Sequence, residues 1–266
     1  MGNIFIGTSG YSYEDWNINF YPAGLDKKDQ LKYYSTFFDT VEINFTYYAL
    51  PYPHIFKRMA EKVGEDFIFS VKAHSGVTHT KDFKTEDIIQ FLSSLHPFVN
   101  NKRMGTVLCQ FPWSFKFSIE NCDYLKRIRE DFEEQELCVE FRNNSWLRDK
   151  TFECLKELKI GFCNVDEPDL KGLLPPTGIN TSGRGYVRFH GRNKLNWWRP
   201  EFSYQRYDYL YSKEELAEWV PRIKKIAENS KRTLVYFNNH YKAQAVRSAK
   251  ILQELISHSD ISTSQN

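Results

Sequence analysis

The chain has 266 residues, of which 41% are hydrophobic and 26% charged, a balance typical of a globular protein. Its 36 basic and 34 acidic residues leave a net charge of +2, which argues against a histone-like or tail-mediated nucleic-acid binder but not against a local basic site. No apolar run is long enough to span a membrane, and the amino terminus lacks the features of a secretory signal, so we expect no membrane partner.

Eight short apolar segments predict strands that are buried on both faces, as in a parallel sheet. They are residues 4–8, 41–44, 67–72, 106–111, 137–142, 161–166, 186–190 and 234–238. Between them, hydrophobic residues recur with helical spacing and predict helices over residues 27–38, 53–63, 88–95, 121–133, 147–159, 216–226 and 245–256. Ser212, followed by Glu215 three residues later, predicts a capping box.

Eight strands alternating with helices predict a (β/α)8 TIM barrel with a parallel eight-stranded sheet, formed as a single domain by residues 1–266. The sixth unit is expected to be irregular, because residues 167–184 contain three prolines and three glycines. A doubly wound open sheet is the alternative, although it favours a glycine-rich dinucleotide loop that the sequence lacks.

The five cysteines show neither CxxC nor zinc-ligand spacing, and three of them lie in apolar strand segments. This usage predicts reduced thiols and a cytoplasmic location.

Polar residues stand at the ends of the predicted strands, where the active site of a TIM barrel lies. Residues two apart share a face of a strand, so three pairs are expected to point into the barrel mouth together. The pairs are Glu42 with Asn44, Glu140 with Arg142, and Arg188 with His190. Lys72, Gln110, Asp166 and Asn238 end four other strands. Such a cluster indicates either a ligand site or a network of ion pairs that satisfies itself.

Two loops rich in aromatic residues are expected at the same mouth. They are residues 10–26, which include Tyr11, and residues 191–212, which include Arg192 and Trp197. Aromatic rings beside arginines suit stacking on sugars or bases together with neutralisation of phosphate. The alternative is that the loops are packed by their own side chains.

Seven segments carry a family resemblance. In chain order, GTSGYSY, VEINFTYYALP, FSVKA, VLCQFP, VEFRNNSW, YVRFHGR and VYFNNHYKAQA resemble the DUF72 (YecE-like) family over essentially the whole chain. The resemblance implies a TIM barrel and no established activity. It also supports the strand-end set, since the segments contain Glu42, Asn44, Lys72, Gln110, Glu140, Arg142, Arg188, His190, Arg192 and Asn238. The last segment departs from the family pattern at Lys242, where a small residue is expected.

The residue types favour an enzyme that acts on a phosphate-bearing or otherwise anionic ligand. Arg188 and His190 lie at the end of the seventh predicted strand and Arg192 follows it, at a place where barrels frequently bind phosphate. The missing side chain of Gly191 would let a ligand approach the backbone. We expect catalytic roles for Glu42, Glu140, His190 and Lys72. We expect ligand contacts from Asn44, Gln110, Arg142, Asp166, Arg188, Arg192, Trp197, Asn238 and Tyr11. The expected partner is an anionic small molecule or nucleotide, with nucleic acid as a further candidate. The residues predict no metal, and they do not identify a cofactor.

Several alternatives stay open. A metal-dependent hydrolase or isomerase would use Glu42, Glu140, Asp166 and His190 as ligands, against the repulsion of nearby cations. A glycosidase would use Glu42 and Glu140, and Schiff-base chemistry would use Lys72. A non-catalytic protein would bind single-stranded nucleic acid or carbohydrate through its aromatic loops.

Overall fold

A computed structural model describes residues 2–133 and 135–263. Its eight strands pair in chain order as a closed parallel barrel, which confirms the predicted TIM barrel. The strands are β1 Asn3–Ser9, β2 Thr40–Ile43, β3 Ile68–Lys72, β4 Met104–Gln110, β5 Leu137–Glu140, β6 Ile160–Asp166, β7 Arg184–Phe189 and β8 Arg232–Phe237. β1 closes the barrel by pairing with β8, from Asn3 opposite Arg232 to Thr8 opposite Phe237.

The helices cover the outside of the barrel. They are α1 Gln30–Tyr34, α2 Pro53–Ala60, α3 Thr85–Val99, α4 Ile119–Asp131, α5 Asp149–Glu157, α6 Lys213–Ala217, α7 Val220–Glu228 and α8 Gln244–Thr263. The segment between β6 and β7, all of which the structure describes, contains no helix, as its prolines and glycines predicted. A five-residue π-helical turn, Gly76–Thr80, follows β3.

One predicted helix is divided into two in the structure. Residues 216–226 were expected to form a single helix, but α6 ends at Ala217 and α7 begins at Val220. Pro221 stands in the first turn of α7, where the absence of a backbone N–H costs nothing. The predicted capping box at the start of α6 is present, because Ser212 Oγ accepts from Glu215 N at 3.2 Å and Ser212 N donates to Glu215 Oε2 at 2.9 Å.

Aromatic side chains form much of the layer between barrel and helices. Phe69 of β3 stacks on Phe98 of α3 with ring centroids 4.1 Å apart, and Phe141 stacks on Trp146 at the same separation. Phe189 of β7 meets Trp219 edge-on at 5.0 Å. This packing accounts for many of the aromatic residues that make up 16% of the chain.

Polar side chains form a hydrogen-bonded layer in the lumen of the barrel. Tyr236 Oη lies 2.6 Å from Thr40 Oγ1 and donates to Ser70 Oγ at 3.0 Å. Above this layer, toward the carboxyl ends of the strands, the lumen contains ionised side chains.

All five cysteines are free thiols. Within residues 2–133 and 135–263, no helix combines the length and apolarity needed to cross a membrane.

Candidate functional site

A cavity of about 700 Å³ opens at the carboxyl ends of the strands. Seven of the predicted site residues line it, namely Tyr11, Asn44, Lys72, Gln110, Arg142, Arg188 and Asn238. A second cavity of about 370 Å³ adjoins it and shares Lys72, Gln110 and Arg142 with it. Trp197, another predicted ligand contact, lines this second cavity. The two form one cleft across the mouth of the barrel.

Arg188 bridges two carboxylates at the floor of the cleft. Its Nη2 donates to Glu42 Oε1 at 2.7 Å, and its Nη1 donates to Glu140 Oε2 at 2.6 Å. Tyr186 Oη donates to the other oxygen of Glu42 at 2.7 Å. Both carboxylates are fully buried and the arginine side chain is 2% exposed. The predicted network of ion pairs is therefore present, with Arg188 at its centre.

Arg142 extends this network toward the cleft. Its Nε lies 2.6 Å from Glu140 Oε1, and its Nη1 donates to Glu167 Oε2 at 3.1 Å. Burial by itself would raise the pKa of Glu140, but the charges of Arg142 and Arg188 hold it well below the usual range. Burial raises the pKa of Glu167 to about 7, because Arg142 offsets only part of the desolvation. Glu140 is thus ionised at neutral pH.

His190 lies beneath this cleft and is fully buried. Its Nε2 is 3.2 Å from Glu140 Oε1, and its Nδ1 is 3.2 Å from Asn238 Nδ2. Burial, followed by the charge of Arg142, lowers the pKa of His190 to about 3, so the ring is neutral at pH 7. An amide N–H can only donate to Nδ1, which assigns the imidazole proton to Nε2, facing Glu140.

In the part of the chain that the structure describes, Lys72 is not paired with a carboxylate, in contrast to Arg142 and Arg188. Its Nζ donates to Gln110 Oε1 at 2.8 Å and lies 4.4 Å from the centre of the Tyr47 ring. Within the described residues it forms no ion pair, although the sequence suggested that it could balance Glu42 or Glu140. Burial, and then the charge of Arg188, lowers the pKa of Lys72 to about 7. A substantial fraction of this side chain is a neutral amine at physiological pH.

Asp166 and Arg192 lie outside the cleft, contrary to expectation. Asp166 accepts hydrogen bonds from Tyr211 Oη at 2.6 Å and Trp219 Nε1 at 2.7 Å, and from Arg192 Nη2 at 2.7 Å. Asp166 pairs in register with Phe189, whose ring packs on the helix layer, so its side chain faces that layer rather than the lumen. Arg192 forms its ion pair with Asp166 on this outer side of the barrel.

The same geometry does not bring together the four residues that the metal-dependent alternative requires. Glu42, Glu140 and His190 are in the lumen, but Asp166 points the opposite way. No cluster of three or more His, Cys, Asp or Glu side chains suited to a metal occurs among the described residues.

Gly191 does not provide a ligand with access to the backbone. Its φ is +87°, and its N–H donates to Tyr211 Oη at 2.8 Å. A Cβ at this position would lie 2.7 Å from Tyr209 Cβ. The glycine therefore admits a tyrosine rather than a ligand.

The expected catalytic and ligand-contact residues did not include several residues of the cleft. Tyr47, Tyr207 and Arg206 line both cavities, and His79 lines the second one. His79 belongs to the π-helical turn after β3, an irregularity frequently found at functional sites. Arg206 stands among the arginines of the loop 191–212, which was the available signal for it. Glu167 directly follows Asp166 and could have been found by extending β6 by one residue.

The aromatic loops contain both kinds of side chain that the sequence suggested. In the loop 10–26, Trp16 is buried and its Nε1 donates to His240 O at 2.7 Å, and Tyr13 stacks on the His240 ring at 4.5 Å. Around the cleft, by contrast, Trp113, Trp198 and Tyr48 remain 39%, 48% and 80% exposed. The loop 10–26 packs against His240 and against its own rings, whereas the rim of the cleft presents exposed rings.

Comparison with known proteins places these features in a family. Residues 5–265 match the family model described as "Protein of unknown function DUF72". The UPF0759 protein YunF of Bacillus subtilis is 30% identical over 269 aligned positions, which cover 95% of this chain and 94% of that protein. The UPF0759 protein YecE of Escherichia coli is 30% identical over 114 positions, 42% of this chain and 39% of that protein.

Solved structures agree with this match. A DUF72 family protein from Thermotoga maritima is 41% identical, with a TM-score of 0.88 over 96% of this chain and 99% of that one. A DUF72 family protein from Enterococcus faecalis is 26% identical, with a TM-score of 0.85 over 96% of each chain.

Proposed function

Because this chain belongs to the DUF72 family, whose description states no activity, we propose its function from the cleft itself: it is an enzyme that acts on a phosphate-bearing or otherwise anionic small molecule. The observation that carries the proposal is the charge of the cavity wall. Lys27, Lys72, Arg142, Arg188 and Arg206 line the larger cavity, and no Asp or Glu is among its lining residues. A wall of one sign concentrates ligands of the opposite charge.

The cations of this wall differ in how free they are to bind a ligand. Both terminal nitrogens of Arg188 are engaged by carboxylates, and Arg142 contacts Glu140 and Glu167. Arg206 is anchored by Nε, which donates to Trp197 O at 2.8 Å, and its two Nη atoms have no partner in the part of the chain that the structure describes. A guanidinium fixed in this way suits two-point recognition of phosphate or carboxylate. We therefore assign the main anion contact to Arg206.

The four residues expected to be catalytic also differ in whether they can reach a ligand. Lys72 reaches the cavity and has a pKa of about 7, so it can exchange a proton with a substrate at neutral pH. Glu42, Glu140 and His190 are fully buried behind the arginines. We propose that these three act as positioning residues, which hold Arg188 and Arg142 at the floor of the cleft.

The anion contact is tested with the Arg206→Ala variant. Removing a charge-assisted pair of hydrogen bonds is expected to weaken binding of inorganic phosphate or a nucleoside monophosphate by about 10- to 100-fold. Isothermal titration calorimetry measures the change. Arg199→Ala is the matched control, because Arg199 is an exposed arginine in the same loop but lines neither cavity. The phosphate affinity of this variant should equal that of the unaltered protein.

Equal phosphate affinity for Arg206→Ala and Arg199→Ala would contradict this assignment. Absence of any phosphate or nucleotide binding by the unaltered protein would contradict the proposed ligand class.

The exposed rings favour a second candidate, a non-catalytic protein that binds single-stranded nucleic acid or carbohydrate. Trp113 and Trp198 contact each other edge-on at 5.7 Å on the rim of the second cavity, where a base or sugar could stack. Titration with a short oligothymidylate and with a neutral oligosaccharide, followed by assay of the bound compounds for turnover, separates the two functions. Binding without turnover favours the second candidate.

A further inference from the structure

We propose that Lys72 is a nucleophile that forms an imine with an aldehyde or ketone group of the substrate. The inference rests on the proposed function, because it takes the anionic group of that substrate to be held by Arg206. It goes further by naming a carbonyl as the reacting group and a covalent bond as the first step.

The position of the amine carries the argument. Lys72 is the last residue of β3, and its side chain reaches both cavities of the cleft. Gln110 Nε2 donates to Phe111 O at 2.8 Å, which turns Oε1 of the same amide toward Lys72 Nζ. The Tyr47 ring lies against another side of the amine at 4.4 Å. The Lys72 amine is thus fixed on two sides while it lines the open cleft.

The charged groups around Lys72 leave the amine reactive. Burial opposes protonation of Lys72 most strongly, and the charges of Arg188 and Arg142 add to this effect. Glu42 and Glu140 favour protonation, but both carboxylates are already paired with arginines. His79, on the π-helical turn that lines the second cavity, has a lowered pKa because of burial and then the charge of Lys72. A lysine held among other cations in a partly desolvated site is the arrangement that activates an amine for attack on a carbonyl.

The step balances without a redox partner. The lone pair of neutral Nζ attacks the carbonyl carbon, and the carbonyl π electrons move to oxygen, which takes up a proton while Nζ loses one. The resulting carbinolamine expels its hydroxyl group as water with the uptake of a second proton, and a protonated C=N bond forms. Solvent in the open cleft supplies and receives these protons.

Reductive trapping tests the proposal. The full-length protein is incubated at pH 7 with glyceraldehyde 3-phosphate and cyanoborohydride, which delivers hydride to the C=N carbon, and labelled lysines are identified by peptide mass spectrometry. We expect Lys72 to be labelled at least about 10-fold faster than Lys57, whose side chain is 72% exposed, because a pKa near 7 leaves far more neutral amine than the usual value near 10.4. A Lys72 rate equal to or below the Lys57 rate overturns the proposal.

The pH profile and one variant test whether fast labelling of Lys72 reflects a lowered pKa or only an accessible amine. Labelling of Lys72 should rise with pH only to about 7, whereas labelling of Lys57 should keep rising toward pH 10. Gln110→Glu places a carboxylate beside the amine and should move the rise at Lys72 to higher pH. Gln90→Glu is the matched control, since Gln90 lies on α3 and lines neither cavity, and it should leave the Lys72 profile unchanged. Identical profiles for Lys72 and Lys57 overturn the proposal.

A second aldehyde separates this inference from the proposed function. Unphosphorylated glyceraldehyde carries the same carbonyl without the anion. Equal labelling of Lys72 by both probes supports the imine and contradicts anion recognition. Phosphate binding that depends on Arg206, together with unlabelled Lys72, overturns the imine and leaves the proposed function standing.

Discussion

Arg188 is the residue on which the ionic network of the barrel mouth depends. It joins Glu42 of β2 and Glu140 of β5 by two hydrogen bonds of 2.7 and 2.6 Å in a fully buried environment. Removing a buried charge leaves its partners uncompensated, and this costs far more than the pair itself contributes. The structure thus favours an architectural role for Arg188 over the direct anion contact suggested by its position before His190.

The Arg188→Ala variant is therefore expected to lose about 3–5 kcal/mol of unfolding free energy, because two buried carboxylates lose their partner. Chemical denaturation measures the loss. Adding Glu42→Gln should restore part of it by removing one of the unpaired charges. Unchanged stability together with weakened phosphate binding would instead make Arg188 a ligand contact.

At the scale of single elements, the turn after β7 illustrates how a loop near the mouth is fixed. Gly191 has a φ of +87° and lies under Tyr209, and its N–H is held by Tyr211. Tyr211 in turn donates to Asp166, so the glycine, two tyrosines and the outward carboxylate form one packed unit. The loop 191–212 is attached to the barrel through this unit.

Gly191→Ala should destabilise the protein by two effects, the left-handed backbone conformation and the close approach of Tyr209. Gly183→Ala is the matched comparison, because Gly183 has a φ of +72° but no heavy atom within 4 Å of the added Cβ. We expect a loss of about 1–2 kcal/mol for Gly183→Ala, and a further loss of about 1–3 kcal/mol for Gly191→Ala from overpacking. Thermal and chemical unfolding of both variants measures the difference. Equal losses would show that Tyr209 moves aside freely.

For the molecule as a whole, closure of the barrel makes every strand depend on two neighbours. β8 pairs along six positions with β1 and along six with β7, so the first and last strands are joined by hydrogen bonds. A single domain over residues 1–266, as the sequence predicted, follows naturally from this topology but stays a prediction.

A chain ending at residue 230 tests it. This chain lacks β8 and α8, which leaves β1 and β7 as unpaired edges. We expect it to be insoluble or to lack a cooperative unfolding transition, as measured by circular dichroism against the full-length protein. A cooperatively folded fragment would show that the first seven units form a domain by themselves.

The sequence by itself determined the fold, because short continuous apolar segments and helical hydrophobic spacing distinguish buried strands from amphipathic helices without tertiary information. It also indicated which positions share a face of a strand wherever two polar residues stood two apart. Glu140 with Arg142 and Arg188 with His190 could be assigned to a shared face from their spacing alone. Asn164 and Asp166 also stand two apart, yet both side chains face away from the lumen, because the spacing shows that two residues share a face but not which face it is.

Only the tertiary structure decided which charges are free. Glu42 and Arg188 are 146 residues apart in the chain, yet Glu42 Oε1 lies 2.7 Å from Arg188 Nη2. Local sequence patterns cannot predict a contact between residues so far apart in the chain. That contact neutralises the charge of Arg188, and the ion pair with Asp166 holds Arg192 outside the cleft. Lys72 and Arg206 have no such carboxylate partner among the described residues, and both face the cleft. A charge is available to a ligand only when no nearer partner neutralises it, and closure of the barrel determines which partners are near.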